Sequence, residues 1–247
     1  MPPRLRSLHG SAETFAHVAG ASPDPERPLE GLDAARSLGA TGFDGPVRFT
    51  ADGAAVVHPA ESIGSRLRRK RLAALERSQL PATIVSLDDL CRRQEASGSL
   101  LLDIDDDRAL SAVLAVARAT SGTLEDRLWL CSSSVDNLMR WRQTTTARLV
   151  HTARLTSLPA GAEQWVAHLT DRSIDGLCAF HGDWTGGLVA LAHRFGRLTV
   201  ARGPEHEREV AAVFDIGIDG VSSPQVERLM AVAALYYPAQ YEDAANQ

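Results

Sequence analysis

The chain has 247 residues, 44% of them hydrophobic and 23% charged, with a formal net charge of -5. That apolar content buries one large α/β core or two small ones, and the acidic balance argues against a general nucleic-acid binder, whose phosphate affinity needs clustered cations. Cys91, Cys131 and Cys178 lie far apart in apolar runs with no C-x-x-C, no apolar signal-peptide core opens the chain and no stretch has the length of a membrane span, so a cytoplasmic protein with buried reduced thiols is expected.

In chain order, short apolar runs alternate with amphipathic stretches. A first strand is predicted at "TFAHVA" (Thr14 to Ala19), then a helix, "PLEGLDAARSLG", closed by Gly39. The second strand, "TGFDGPVRF" (Thr41 to Phe49), leads into "ADGAAVVHP", read as a turn and a short extra strand ending at His58. A long excursion follows before the helix "SLDDLCRRQ" and holds a basic patch, "RLRRKR" (Arg66 to Arg71). Insertions of this length on a barrel loop are more often lids or binding elements than passive connectors, while a solvated basic face is an equal reading of the patch.

Strands are then predicted at "SLLLDID" (Ser99 to Asp105), "RLWLCSS" (Arg127 to Ser133), "RLVHTA" (Arg148 to Ala153), "IDGLCAF" (Ile174 to Phe180), "RLTVAR" (Arg197 to Arg202) and "IDGVSS" (Ile218 to Ser223). Helical periodicity marks "RALSAVLAVARAT", "VDNLMRWRQ", "GGLVALAHRFG", "HEREVAAVFDIG" and "PQVERLMAVAALYY", with Ser134 or Asp136 as a cap of the second of these. Near-continuous apolar strands alternating with helices mean parallel strands covered by helices. Eight such units in this length predict one (β/α)8 TIM barrel over residues 1–247, with a small insertion after the second strand.

Barrel chemistry sits at the C-terminal strand ends, which selects His17, Asp44, His58, Asp103, Asp105 and Arg202. Asp103 and Asp105 are two apart and face one way if the strand continues through both. Structural readings compete: a lone strand-end histidine is more often hydrogen-bonded than catalytic, and Asp105 to Asp107 read as helix-capping acids. His151, His168, His181, His193 and His206 lack metal-ligand spacing.

The sequence resembles the glycerophosphodiester phosphodiesterase family, whose pattern runs roughly A-H-R-G, then P-E-N-T-L-E-A-F, then G-A-D-G-I-E-L-D-V-x-x-T-x-D-G-x-x-V-x-x-H-D, and later E-I-K. Here "AHVAG", "PERPLEGLDAARSLGATGFDGPVRFTADGAAVVHP" and "LLLDIDD" stand in the same order, ungapped from Pro25 to His58, and "FGRLTVARGPEHEREVAAVFDIGIDGVSSP" resembles the last barrel unit. The resemblance implies a lipid-metabolism hydrolase acting on a small phosphodiester. It puts His17 and His58 at the general base and general acid, and Asp44 and Asp103 at two carboxylates that hold Mg²⁺ or Ca²⁺.

Four positions depart from the pattern. Val18 replaces the phosphate-holding Arg, Pro46 a metal-binding Asp, Pro59 the Asp after the second His, and Asp105 a Lys. Hard cations want several oxygens, so a rebuilt site of Asp44, Asp103 and Asp105 is one expectation. A second is a metal-independent histidine pair with an arginine, Arg48, Arg202 or the Arg66 to Arg71 cluster, on the phosphate, as in the bacterial phosphoinositide-specific phospholipases that the chain also resembles. A third is a non-catalytic barrel that binds or regulates.

Overall fold

Each predicted apolar run forms a strand: β1 (Glu13–His17), β2 (Gly42–Phe49), β3 (Ser99–Asp103), β4 (Leu128–Ser132), β5 (Arg148–Thr152), β6 (Gly176–Phe180), β7 (Leu198–Arg202) and β8 (Gly220–Ser223). In the computed structural model, which describes residues 5–19, 26–65, 68–94, 98–105, 107–158 and 161–238, these strands run parallel and pair in chain order. β8 returns to β1, with Thr14 opposite Val221, and closes the ring. The fold is a (β/α)8 TIM barrel.

The surrounding helices are α1 (Pro28–Ser37), α2 (Leu87–Arg93), α3 (Asp107–Thr120), α4 (Val135–Trp141), α5 (Ala162–Asp171), α6 (Gly186–Arg194), α7 (Glu207–Asp215) and α8 (Val226–Tyr236). Their starts follow local chemistry. Ser86, Ser134 and Thr185 accept the backbone N–H of Asp89, Asn137 and Leu188, satisfying donors that a helix N-terminus leaves open. Ser134 is therefore the cap of α4, and Asp136 sits in its first turn. Gly39 and Gly217 stop α1 and α7 at φ +100° and +79°, a region closed to most side chains. Among the described residues no helix is long and apolar enough to cross a membrane.

Alternation along the strands divides the core in two. Phe15, Leu101, Trp129, Cys131, Val150, Cys178, Leu198 and Val200 point inward and fill the lumen. Their neighbours, such as Leu100, Leu102, Leu130 and Leu177, face outward onto the helices. Burial on both faces is why the strands read as unbroken apolar runs. Phe15 meets Trp129 edge to face at 5.7 Å, and the Arg148 guanidinium lies 4.9 Å from the Trp129 ring centroid and 3.7 Å from Glu13, closing the N-terminal end of the lumen. Gly42 makes room for this packing, since a Cβ there would collide with the Ser99 carbonyl and come within 2.8 Å of the Phe15 ring.

The insertion is more structured than a turn and one strand. Ala55–Val57 pairs antiparallel with the outer part of β2, Val85–Ser86 adds to it, and Ser62–Ile63 pairs with Lys70–Arg71. Val56, Leu72, Leu75, Leu80 and Ile84 form a separate small core beneath these segments. Arg68 to Arg71 are exposed on this surface, whereas Arg66 lies outside the described residues.

Candidate active site

His17 ends β1 and lies in register with Asp44 of β2. Its Nδ1 donates to Oδ1 of Asp44 at 2.5 Å. Asp44 is 2% exposed. Burial alone would raise its pKa, but the His17 hydrogen bond, the Arg202 charge and a bond from Ser222 together lower it below 3.8. Burial likewise pulls His17 down, yet the bond and charge of Asp44, with Asp103 behind, outweigh it and raise the imidazole above 6.5. An ionised carboxylate only accepts, so Nδ1 carries a proton and Nε2 is the nitrogen offered to a ligand.

Arg202 ends β7 and reaches across the lumen. Its Nη1 donates to Oδ2 of Asp103 at 2.6 Å, and its Nη2 stands 3.9 Å from Oδ2 of Asp44. Nε and Nη2 of Arg202 are buried with no hydrogen-bond partner among the described residues. The guanidinium charge is felt by the inward-facing Cys131 and Cys178, which are buried and in no disulfide.

The two carboxylates matched to metal ligands are thus partnered by a cation that the chain supplies itself. A divalent ion bridging them would have to displace Arg202, and among the described residues no third acid joins them. β3 ends at Asp103, so the alternation rule stops before Asp105, which is 75% exposed and accepts from Nη1 of Arg48 at 2.6 Å. Among the described residues no three His, Cys, Asp or Glu side chains form a metal-binding group. This donor set does not fit Mg²⁺ or Ca²⁺, and the expected convergence of Asp44, Asp103 and Asp105 is corrected on that geometry. Asp106 lies outside the described residues.

Arg48 faces the insertion rather than Arg202, lining a cleft of about 240 Å³ with Glu61, Arg71 and Asp105. His58 sits on the same rim as Asp44, its backbone N–H donating to Pro46 at 3.1 Å. Its Nδ1 is 2.8 Å from the Ala60 carbonyl, and no bond joins it to His17 among the described residues. Val18 is 6% exposed and packs beside Gly45 and Val57, so the side chain at the family's arginine position is part of the core.

Sequence reasoning missed two groups. Ser222, inward near the end of β8, helps hold the Asp44 carboxyl below its usual range, and its place near the strand end was the available signal. Asp219 is fully buried just before β8 and accepts from Leu8 N (2.7 Å), Ser7 Oγ (2.9 Å), Thr199 Oγ1 (2.8 Å) and His193 Nε2 (2.8 Å). It knits the N-terminal segment to the barrel end opposite the mouth, which gives His193 a structural partner.

No protein-family profile and no curated protein matches this sequence. Solved structures match its shape. A glycerophosphodiester phosphodiesterase from Thermotoga maritima superposes with TM-score 0.71 at 18% identity, covering 90% of this chain and 98% of that one. A phosphodiesterase from Oleispira antarctica, solved with the product sn-glycerol-3-phosphate, gives 0.75 at 14%, covering 92% and 99%. A glycerophosphodiester phosphodiesterase from Agrobacterium tumefaciens gives 0.71 at 14%, covering 90% and 100%. At these identities the likeness is one of fold.

Proposed function

We propose that this chain is a divergent relative of the glycerophosphodiester phosphodiesterases that hydrolyses a small phosphodiester without a divalent metal. The observation that carries this reading is the His17–Asp44 pair at the C-terminal mouth beside Arg202. The shared barrel and the motif order around His17, Asp44 and His58 support it as well.

The charges assign the roles. Asp44 and Asp103 contribute -2 and Arg202 +1, so the cluster is neutral when His17 is protonated and -1 when it is not. A diester monoanion therefore enters beside protonated His17, which makes His17 the general acid toward the leaving alkoxide. Asp44 fixes its ring and stabilises its charge. The Arg202 guanidinium, on a side chain that is 23% exposed, donates to the phosphoryl oxygens as negative charge grows there. His58, on the rim beside Pro46, takes the proton of the attacking water. The phosphorus–alcohol oxygen bond breaks, water supplies the new oxygen, and the products are a phosphomonoester and an alcohol. Three buried free thiols support a reducing, cytoplasmic setting.

The test is a phosphodiester panel assayed with chelator and with added Mg²⁺ or Ca²⁺. Turnover indifferent to chelator and reduced at least about 100-fold in His17→Ala is expected. Turnover abolished by chelator, or unaffected by His17→Ala, overturns the mechanism. The Nδ1 contact of His58 with its own loop favours a second reading, a non-catalytic barrel that binds a phosphorylated alcohol. Calorimetric binding of sn-glycerol-3-phosphate with no turnover of any diester would select it.

A further inference from the structure

The lumen of an eight-strand barrel is filled in layers of four side chains drawn from alternate strands, because each strand is staggered by one residue against the next. Cys131 of β4 pairs with Val150 of β5, which pairs with Gly176 of β6, so the residue of β6 level with Cys131 lies two further on, at Cys178. The same count from Cys178 through Val200 and Gly220 arrives at Ser222 of β8, and from Cys131 back through Asp103 and Pro46 it arrives at Asp44 of β2. Asp44, Cys131, Cys178 and Ser222 therefore make one buried layer, and the partly exposed His17, Asp103 and Arg202 end the strands between them, one layer nearer the mouth.

The spacing of this layer decides what the two thiols can do. Strands two apart, at about 4.8 Å each, put the two Cα atoms about 10 Å from one another, whereas a disulfide needs them within about 7 Å. Two metal–sulfur bonds of about 2.3 Å in place of one sulfur–sulfur bond extend that reach to about 9–10 Å. The pair is spaced for a bridging ion. Burial pushes the Cys178 thiol up, but the bond with Cys131 and the Arg202 charge outweigh it and hold the group below 9.0, while Cys131 is pushed well above 9.0, by burial first and by Cys178 second. Arg202 thus favours the deprotonated sulfur that a metal takes. Zn²⁺ asks for four ligands, and among the described residues no group of three or more metal-binding side chains forms. Two thiolates suit a soft ion of low coordination number.

We propose that Cys131 and Cys178 form a two-thiolate site for a thiophilic monovalent cation of the Cu(I) class, set in the lumen just below the mouth. Two thiols and the ion give a bis-thiolate complex and two protons, with no change of oxidation state. The complex carries one net negative charge, two thiolates against one cation, and Arg202, whose charge reaches both sulfurs, balances it. Less of that charge is then left for a substrate anion, so occupancy inhibits; this consequence alone rests on the phosphodiesterase reading.

The experiment titrates the reduced, chelator-treated full chain with Cu(I), anaerobically, against a chromophoric Cu(I) chelator. Wild type is expected to take up one ion per chain. Cys131→Ala and Cys178→Ala each weaken binding at least about 100-fold, and Cys91→Ala, whose thiol packs outside the lumen with the helices, binds as wild type does. Copper X-ray absorption of the wild-type complex should show two sulfur neighbours, a result that decides the site even where a variant fails to fold. No uptake by wild type, uptake unchanged in Cys131→Ala, or nitrogen neighbours on the copper overturns the proposal. Occupancy should also reduce kcat/KM toward an anionic diester at least about tenfold in wild type and not in Cys131→Ala, the effect of one added negative charge at this range. Undiminished turnover at full occupancy overturns the coupling to the mouth. Copper uptake as described by a chain that turns over no diester upholds the site and removes the phosphodiesterase reading.

Discussion

Replacing Arg202 with Met keeps a stem of similar length over the lumen and removes only the charge. Asp103 then loses its 2.6 Å partner, and Asp44 loses a cation at 3.9 Å while keeping His17. Removing one member of a buried pair typically costs about 3–5 kcal/mol. The lower end applies here, because the Asp103 side chain is 29% exposed and takes up water, whereas Asp44, at 3%, retains a second partner. A loss of about 3 kcal/mol is expected, which at about 2–4 °C per kcal/mol for a chain of this size lowers Tm by about 6–12 °C. Urea unfolding of wild type, Arg202→Met, Asp103→Asn and the double variant gives the coupling directly. In the Arg202→Met background Asp103→Asn should recover at least about 1 kcal/mol, since it removes the stranded charge. A single Arg202→Met variant within about 0.5 kcal/mol of wild type would refute the view that the guanidinium neutralises these carboxylates.

The stability contributed by the His17–Asp44 pair depends on pH on both sides. Asp44 is depressed, so its contribution is full above 3.8 and is lost as pH falls through its lower folded value; His17 is raised, so its contribution is full below 6.5 and is lost as pH rises through its higher one. Tm should therefore show a pair-dependent plateau between pH 3.8 and 6.5 that Asp44→Asn removes; superimposable profiles would contradict the pairing. His58→Ala should reduce turnover at least about 100-fold while changing unfolding free energy by less than about 0.5 kcal/mol, because among the described residues its ring bonds only its own loop; unchanged turnover removes it from the mechanism. Gly42→Ala places a Cβ against the Ser99 backbone and the Phe15 ring, forcing β2 and β3 apart. Urea unfolding should show a loss of about 1–3 kcal/mol, and a neutral result would mean the strand spacing is looser than described.

The barrel was legible because its strands are buried on both faces. Runs such as "RLWLC" and "RLTVA" stand out without periodicity, and Gly39, Gly196 and Gly217 mark helix ends. α5 carried a weaker signal, since among its ten residues only Val166 and Leu169 are buried, beside a half-exposed Trp165 stacked on His168. The insertion hid its architecture in two-residue strands and single turns, too short for any period to register. At the mouth, strand-end position found His17, Asp103 and Arg202, while Asp44, the third residue of β2, was selected by its place in the motif. What sequence could not show is that Arg202 meets Asp103, 99 positions away in the chain, a contact created by ring closure. Asp105 was misplaced because two-residue alternation holds only while the strand lasts, and β3 stops at Asp103.

β2 is one unbroken strand from Gly42 to Phe49, and its two halves belong to different neighbourhoods. The first half carries Asp44 between β1 and β3, and the second, Val47 to Phe49, is hydrogen-bonded to Ala55–Val57 of the insertion. The insertion is consequently not a cassette that can be excised or exchanged at its ends. A replacement loop that failed to supply an antiparallel partner would leave Val47 without Val57 and the outer strand with open backbone groups, directly downstream of the carboxylate that orients His17. Grafts meant to retune substrate choice must therefore preserve the hairpin from Val47 to Val57 and vary only what lies beyond it.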